Sequence, residues 1–247
     1  LISEFQMCTV SYIPKIIDGN FVLTSNRDED ARRLTIAPML YDFENVQIVF
    51  PKDEVSGGSW IAMNKQGKIN CLLNGGIGTH QKQDFHTNSR GIVLVELTKS
   101  ELSTKDFFQN YPLQNVEPFT IVSLQLNDGK VDSLLEVIWD GHKKYFEILD
   151  SSRAYIWSSA QLYSEEQKEL RQKWFADFID KYKGWLSLNK IADFNFGHHS
   201  EDSGVNVVMQ RGDVLKTVSI TQITFQDEYL KMSYSDLLRG NRVQIEL

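Results

Sequence analysis

The sequence has only two cysteines in 247 residues, Cys8 and Cys71. Two thiols cannot build a disulfide scaffold, and their spacing matches no zinc pattern, so free thiols are the expected state. No apolar run approaches the roughly 20 residues that a bilayer-spanning helix needs. No cluster of Lys or Arg is present and the net charge is -7, which argues against a surface built to neutralise nucleic-acid phosphates. Prolines number only five, so no proline-rich linker or stalk is expected. The opening LISEFQ carries Glu4 where a signal peptide needs an uninterrupted apolar stretch, and the expected location is the cytoplasm.

What is present describes an ordinary globular chain, with 41% hydrophobic and 24% charged residues. From Thr9 to Glu101 short segments rich in β-branched and aromatic residues predict successive strands: FVLTSN (21–26), NVQIVF (45–50), SWIAMN (59–64), KINCLLN (68–74) and GIVLVEL (91–97). Cys71, inside KINCLLN, reads as a small buried hydrophobe. Turn signals separate the segments: IDGN, SGG, KQG and GGIG. A helix is predicted over 100–111, capped by Ser103 or Thr104. Strands then return in FTIVSLQL, SLLEVIWD, KYFEILD and AYIWSS, with Asp-Gly hairpin turns in LNDGK and WDGHK.

The strongest helix signal lies in SEEQKELRQKWFADFIDKYKG, where Ser164 and Gln167 fit a capping box and Gly184 ends the element. Leu170, Trp174, Phe178 and Tyr182 form its expected core stripe. Two last strands are predicted in VNVVMQ and LKTVSITQITF. With no internal repeat or linker, residues 7–247 read as a single domain of two sheet layers and a few helices.

Cys8 follows Met7 directly. Translation from Met7, with removal of that methionine, would leave Cys8 with a free α-amine; residues 1–6 then read as extraneous to the working protein. An N-terminal cysteine supplies a thiol of pKa ~8.5 and an amine of pKa ~7.7–8.0 on one residue. The amine can take the thiol proton, so no histidine is required. The five histidines offer no obvious partner. His142 falls in a turn, His80 and His86 flank one polar loop, and His198 and His199 lie in another. No zinc-protease spacing occurs, and the residues call for no cofactor.

Met7-Cys8-Thr9 followed by Asn26-Arg27-Asp28-Glu29 resembles the start of the NRDE family, to which the transport and Golgi organisation 2 proteins belong. GGSWIAMNKQGKINCLLN (57–74) and SRGIVLVEL (89–97) are similar to further segments of that family. The resemblance implies an N-terminal nucleophile hydrolase-like fold: α+β, a four-layer αββα sandwich of two antiparallel sheets.

Cysteine members of that fold, the bile salt hydrolases and penicillin V acylases, resemble the same start. Their pattern implies that Cys8 attacks an amide carbonyl while its α-amine shuttles the proton, and that Asn74 stabilises the oxyanion. It also implies that Arg27 lowers the thiol pKa and that Asp28 or Glu29 anchors the ammonium. The resemblance thus assigns Cys8, Asn26, Arg27, Asp28 and Asn74 to the site. The residue order Asn26-Arg27-Asp28-Glu29 departs from the Arg-Asn-x-Asp of those enzymes, and leaves open which of its side chains face Cys8. Ser158 or Ser159 stands where a second asparagine is expected, and Arg211 is the candidate for a distal arginine. The same four charged and polar residues could also cap a strand and tie two layers together.

Two functions follow from the resemblance. One is a cysteine amidohydrolase acting on a small amphipathic substrate. The other is a non-catalytic carrier or trafficking protein for haem, acyl-CoA or lipid, in which His80, His86, His198 and His199 would matter more than Cys8. The stretch GGIGTHQKQDFH (75–86) has the composition of a lid.

Overall fold

The computed structural model describes residues 7–78 and 88–247. In chain order these form β1 (Met7–Ile16), β2 (Gly19–Asp30), β3 (Thr35–Phe43), β4 (Val46–Asp53), β5 (Ile61–Asn64), β6 (Lys68–Asn74), α1 (Arg90–Lys99) and α2 (Thr104–Asn110). There follow β7 (Phe119–Asn127), β8 (Lys130–Trp139), β9 (Lys144–Leu149), β10 (Tyr155–Ser158), α3 (Glu165–Lys181), α4 (Leu188–Asn195), β11 (Gln210–Arg211), β12 (Leu215–Gln226), β13 (Tyr229–Asp236) and β14 (Arg242–Glu246). His80, His86 and most of the predicted lid lie outside the described residues.

The chain folds into two compact units, one made of residues up to Arg33 together with Ser152–Glu246, the other of Leu34–Ser151. Each is built on one antiparallel sheet, giving the α+β class predicted from the sequence. In the first unit the sheet runs β10-β1-β2-β12-β13-β14, with β11 added on β12. The central strands β1, β2 and β12 are buried along most of their length. Helices α3 and α4 cover one of its faces: Phe175, Phe178, Ile191 and Phe194 pack on Ile13 and Val22.

The second unit is a meander, β3-β4-β5-β6-β7-β8-β9. Its hairpin between β7 and β8 turns on Asp128 and Gly129, both at positive φ (49° and 71°), the geometry that an Asp-Gly pair suits. Val93, Leu94 and Leu97 of α1 join Phe107 and Phe108 of α2 in a core with Ile48, Leu72, Phe119 and Trp139. Lysines close both helix ends. Lys68 Nζ donates to the carbonyls of Ser100 and Leu102 at 2.5 and 2.6 Å, and Lys144 Nζ to those of Phe108 and Tyr111 at 2.5 and 2.8 Å, satisfying acceptors that a helix C-terminus leaves open.

Three sequence expectations change. GIVLVEL is the body of helix α1, capped by Ser89, whose side chain accepts from the Ile92 N–H; a short, uniformly apolar run reads the same for a buried strand and a buried helix. Of the stripe expected on α3, Phe178 is buried and Trp174 and Tyr182 pack half-buried against the same core, but Leu170 is exposed, and Arg171 and Phe175 complete the buried face. VNVVMQ is mostly irregular, with only Gln210–Arg211 forming a strand, while β13 and β14 continue the sheet beyond the last predicted strand.

Candidate active site

Cys8 lies in the second position of β1, buried, and is set by its two neighbouring strands. On one side it pairs with Arg27 of β2, while Met7 pairs with Asp28 and Thr9 with Asn26. On the other side Thr9 pairs with Ser158, and the Ser159 N–H donates to the Cys8 carbonyl at 3.2 Å. Residues opposed in an antiparallel ladder share a face and their neighbours take the other. Cys8, Arg27 and Glu29 therefore occupy one face of the sheet, and Thr9, Asn26, Asp28 and Ser158 the opposite one.

The face carrying the thiol also holds an ion-paired group. Arg27 Nη2 lies 3.4 Å from Glu29 Oε2, and Arg33 Nε lies 3.8 Å from the same carboxylate. All three side chains are at least nine-tenths buried. The Asp30 N–H donates to Glu29 Oε1 at 2.8 Å and fixes the carboxylate from the main chain.

On the opposite face Asp28 is the centre of a buried network. Thr217 donates to Asp28 Oδ1 at 2.5 Å and Tyr163 to Oδ2 at 3.0 Å. Arg171, on α3 and fully buried, donates from Nη2 to the Tyr163 hydroxyl at 2.7 Å. Its Nη1 reaches the hydroxyls of Thr9 and Ser158, and its remaining donors go to the carbonyls of Val205 and Asn206. The guanidinium also sits 3.7 Å over the Tyr163 ring. Burial pushes the Asp28 carboxyl up to about 6, against the pull of Arg171, Thr217, Tyr163 and Arg211. The same burial raises the Tyr163 phenol well above its ordinary range.

Asn26 belongs to this second set. Its Nδ2 donates to the carbonyls of Asn195 and Val207 at 2.9 and 3.0 Å, tying the end of α4 and the 205–207 segment to β2. So the signature divides: Arg27 and Glu29 share the face of Cys8, whereas Asn26 and Asp28 fasten the helices behind it. Of the two acids open to the ammonium role in the sequence, Glu29 is the one on the thiol's face.

The split continues into β12. A bulge falls between Thr217, which pairs with Asp28, and Ser219, which pairs with Arg27. An extra residue in one strand reverses the alternation locally, so Thr217 serves the Asp28 network and Ser219 stands on the Cys8 face. Nothing in the pattern KTVSIT announces the bulge. Arg171, which sequence reasoning passed over, does leave a signal: residues 171, 175 and 178 are spaced i, i+4, i+7 as one helix face.

Arg211 donates to the carbonyls of Gly204 and Leu162 at 3.0 and 3.2 Å and lies 5.4 Å over the Tyr163 ring, which places it with the Asp28 network. Asn74 ends β6 in the second unit and is buried. His199 stacks between Trp174 and Phe194, with ring centroids 5.3 and 4.8 Å away, and its Nε2 lies 2.9 Å from the Phe194 carbonyl. That is a packed, structural histidine. Among the described residues no three His, Cys, Asp or Glu side chains converge on a metal position.

The chain, with two antiparallel sheets and four helices among the described residues, has an α+β, N-terminal nucleophile hydrolase-like fold, as its likeness to solved structures shows. It is similar over 97% of its length to penicillin V acylase from Agrobacterium tumefaciens (14% identity, 86% of that chain, TM-score 0.55). It is also similar to a variant of conjugated bile acid hydrolase from Clostridium perfringens (10% identity, 97% of this chain and 92% of that one, TM-score 0.54). An N-acylethanolamine-hydrolyzing acid amidase orthologue from Caenorhabditis elegans matches with a TM-score of 0.51 at 12% identity, over 88% of this chain and 92% of its own. In sequence no curated protein matches. The chain belongs to the Transport and Golgi organisation 2 family, which it matches over residues 7–235. No helix among the described residues is long and apolar enough to cross a membrane.

Proposed function

We propose that this protein, once Cys8 carries a free α-amine, is a cysteine amidohydrolase acting on a C–N amide bond of a small amphipathic substrate. The observation that carries the reading is the shared face of Cys8, Arg27 and Glu29. An N-terminal cysteine supplies both nucleophile and base, and a guanidinium beside it favours the thiolate.

The chemistry then runs in two halves. Cys8 Sγ bonds to the substrate carbonyl carbon, its proton passing to the α-amine. The tetrahedral intermediate collapses, the C–N bond breaks, and the leaving amine takes that proton back. Water, deprotonated by the same amine, attacks the thioester, releasing the carboxylic acid and restoring the thiol. Arg27 lowers the thiol pKa, and Glu29 takes the ammonium-anchoring role in place of Asp28. Asn74 is proposed as an oxyanion donor on the strength of the sequence resemblance alone.

The test is protein translated from Met7. Intact mass should show the methionine gone, and limiting iodoacetamide near pH 7 should modify Cys8 rapidly and singly, with Cys8→Ala and Cys71→Ala as controls. Alkylation no faster than that of a free peptide thiol would count against the nucleophile and turn attention to a carrier role for acyl-CoA, lipid or haem.

A further inference from the structure

Beside Cys8, the same sheet face carries three hydroxyls with no hydrogen-bond partner among the described residues: Ser25, Ser219 and Thr221. All three residues are completely buried. Their registers place them together. Ser219 opposes Arg27, which opposes Cys8; Thr221 opposes Ser25, which opposes Val10. The next step along the face is Tyr12, Leu23, Ile223 and Met232, and the one after it brings Phe21, Phe225 and Leu230. The face thus changes from polar at the thiol to apolar along the strands, with the hydroxyls at the boundary.

An unsatisfied buried hydroxyl is destabilising, and native proteins leave few of them. Three on one face beside a nucleophile have a shared explanation in a ligand that supplies their partners. We infer that Ser25, Ser219 and Thr221 form a subsite that hydrogen-bonds an uncharged polar group of the substrate, such as a hydroxyl on its acyl chain. The inference rests on the amidohydrolase reading above. Hydroxyls donate and accept without charge; of the charged residues that the ladders place on this face, Arg27 pairs with Glu29 and Asp236, opposite Ser219, with Arg239, while Lys216, opposite Glu29, is only half-buried, so an uncharged group is the complement. Strand spacing puts the hydroxyls about 7–12 Å from the position of Cys8, at the diagonal neighbour and two strands across. An acyl chain of roughly eight carbons ending in a hydroxyl spans that range.

The experiment uses protein beginning at Cys8 and two fluorogenic amides of 7-amino-4-methylcoumarin, one octanoyl and one 8-hydroxyoctanoyl. Wild type should favour the hydroxylated amide in kcat/KM by about tenfold or more, because a site built to bond a hydroxyl discriminates against its absence. Ser25→Ala, Ser219→Ala and Thr221→Val should each bring that ratio toward one, with Thr221→Ser retaining it. Each truncation should also raise Tm by a few degrees, since it removes an unpaired buried group. Iodoacetamide reactivity of Cys8 is measured alongside. A wild-type ratio near one, a ratio untouched by all three truncations, a lowered Tm in them, or a reactive Cys8 that cleaves neither amide would overturn the subsite. A Cys8 no more reactive than a peptide thiol would instead overturn the amidohydrolase reading, and the subsite with it.

Discussion

Cys8 and Arg27 stand opposite one another on a single face of the β1–β2 ladder, and Glu29, two residues further on β2, holds the Arg27 guanidinium at 3.4 Å. If the guanidinium favours the thiolate, Arg27→Gln should move the pH midpoint of Cys8 alkylation upward in protein beginning at Cys8, and slow alkylation at pH 7 by about tenfold for each unit of that movement. An unchanged profile would remove Arg27 from the mechanism.

Glu29 and Asp28 are adjacent in sequence yet act on opposite sides of the sheet, so their variants should separate. Glu29→Gln is expected to lower amide hydrolysis by about 10²-fold or more, in the range of lost acid–base assistance. Asp28→Asn should leave the alkylation profile of Cys8 in place. Equal losses in both would mean that the face assignment has no functional meaning.

Asp28 also makes a prediction about stability and pH. Its carboxyl is raised from 3.8 to about 6 by burial, so between those values the folded protein binds the proton that the unfolded chain has released. The contribution of Asp28 to stability is therefore greatest in acid and is lost as pH rises through about 6, a difference of about 3 kcal/mol by linkage. Asp28→Asn should gain on wild type between pH 4 and pH 7 in urea unfolding, and a constant difference would contradict the assignment.

The capping box of α3 and the Asp-Gly hairpin were legible because each is settled within four residues: Ser164 and Gln167 exchange the expected bonds, and Asp128-Gly129 takes its turn. Helix α1 was not, since the run that follows Ser89 is buried on several sides and offers no polar face to reveal a helical period. The membership of Cys8, Arg27 and Asn26 in one local cluster could be inferred from the sequence motif. Their division between two faces could not, because it depends on β1–β2 register and on the bulge beyond Thr217, both set by partners far along the chain.

Arg171 fastens α3 to the strand that carries Cys8. It is fully buried, and its loss would strip the Val205 and Asn206 carbonyls and the Tyr163 hydroxyl of an Arg171 donor and remove the positive charge that offsets the buried Asp28 carboxylate. Arg171→Met should cost about 3–5 kcal/mol, the usual price of breaking a buried charged cluster. Adding Asp28→Asn should return part of that loss in a double-mutant cycle; simple additivity would show that the two groups do not interact.

The segments GGSW and SRG, far apart in sequence, meet in the second unit. The Ser59 N–H donates to the Gly91 carbonyl at 3.2 Å, and a Cβ added at Gly58 would lie 2.4 Å from the Gly91 carbonyl carbon and 2.6 Å from the Ile92 nitrogen. Both obstacles are main chain at the first turn of α1 and cannot swing aside. Gly58→Ala should therefore push α1 away from β5 and lower stability by at least about 1–3 kcal/mol, as overpacking does in other cores. Thermal unfolding reads the effect directly. A Tm equal to wild type would mean that the helix can retreat without loss, and the glycines of the two segments would then need another reason to be there.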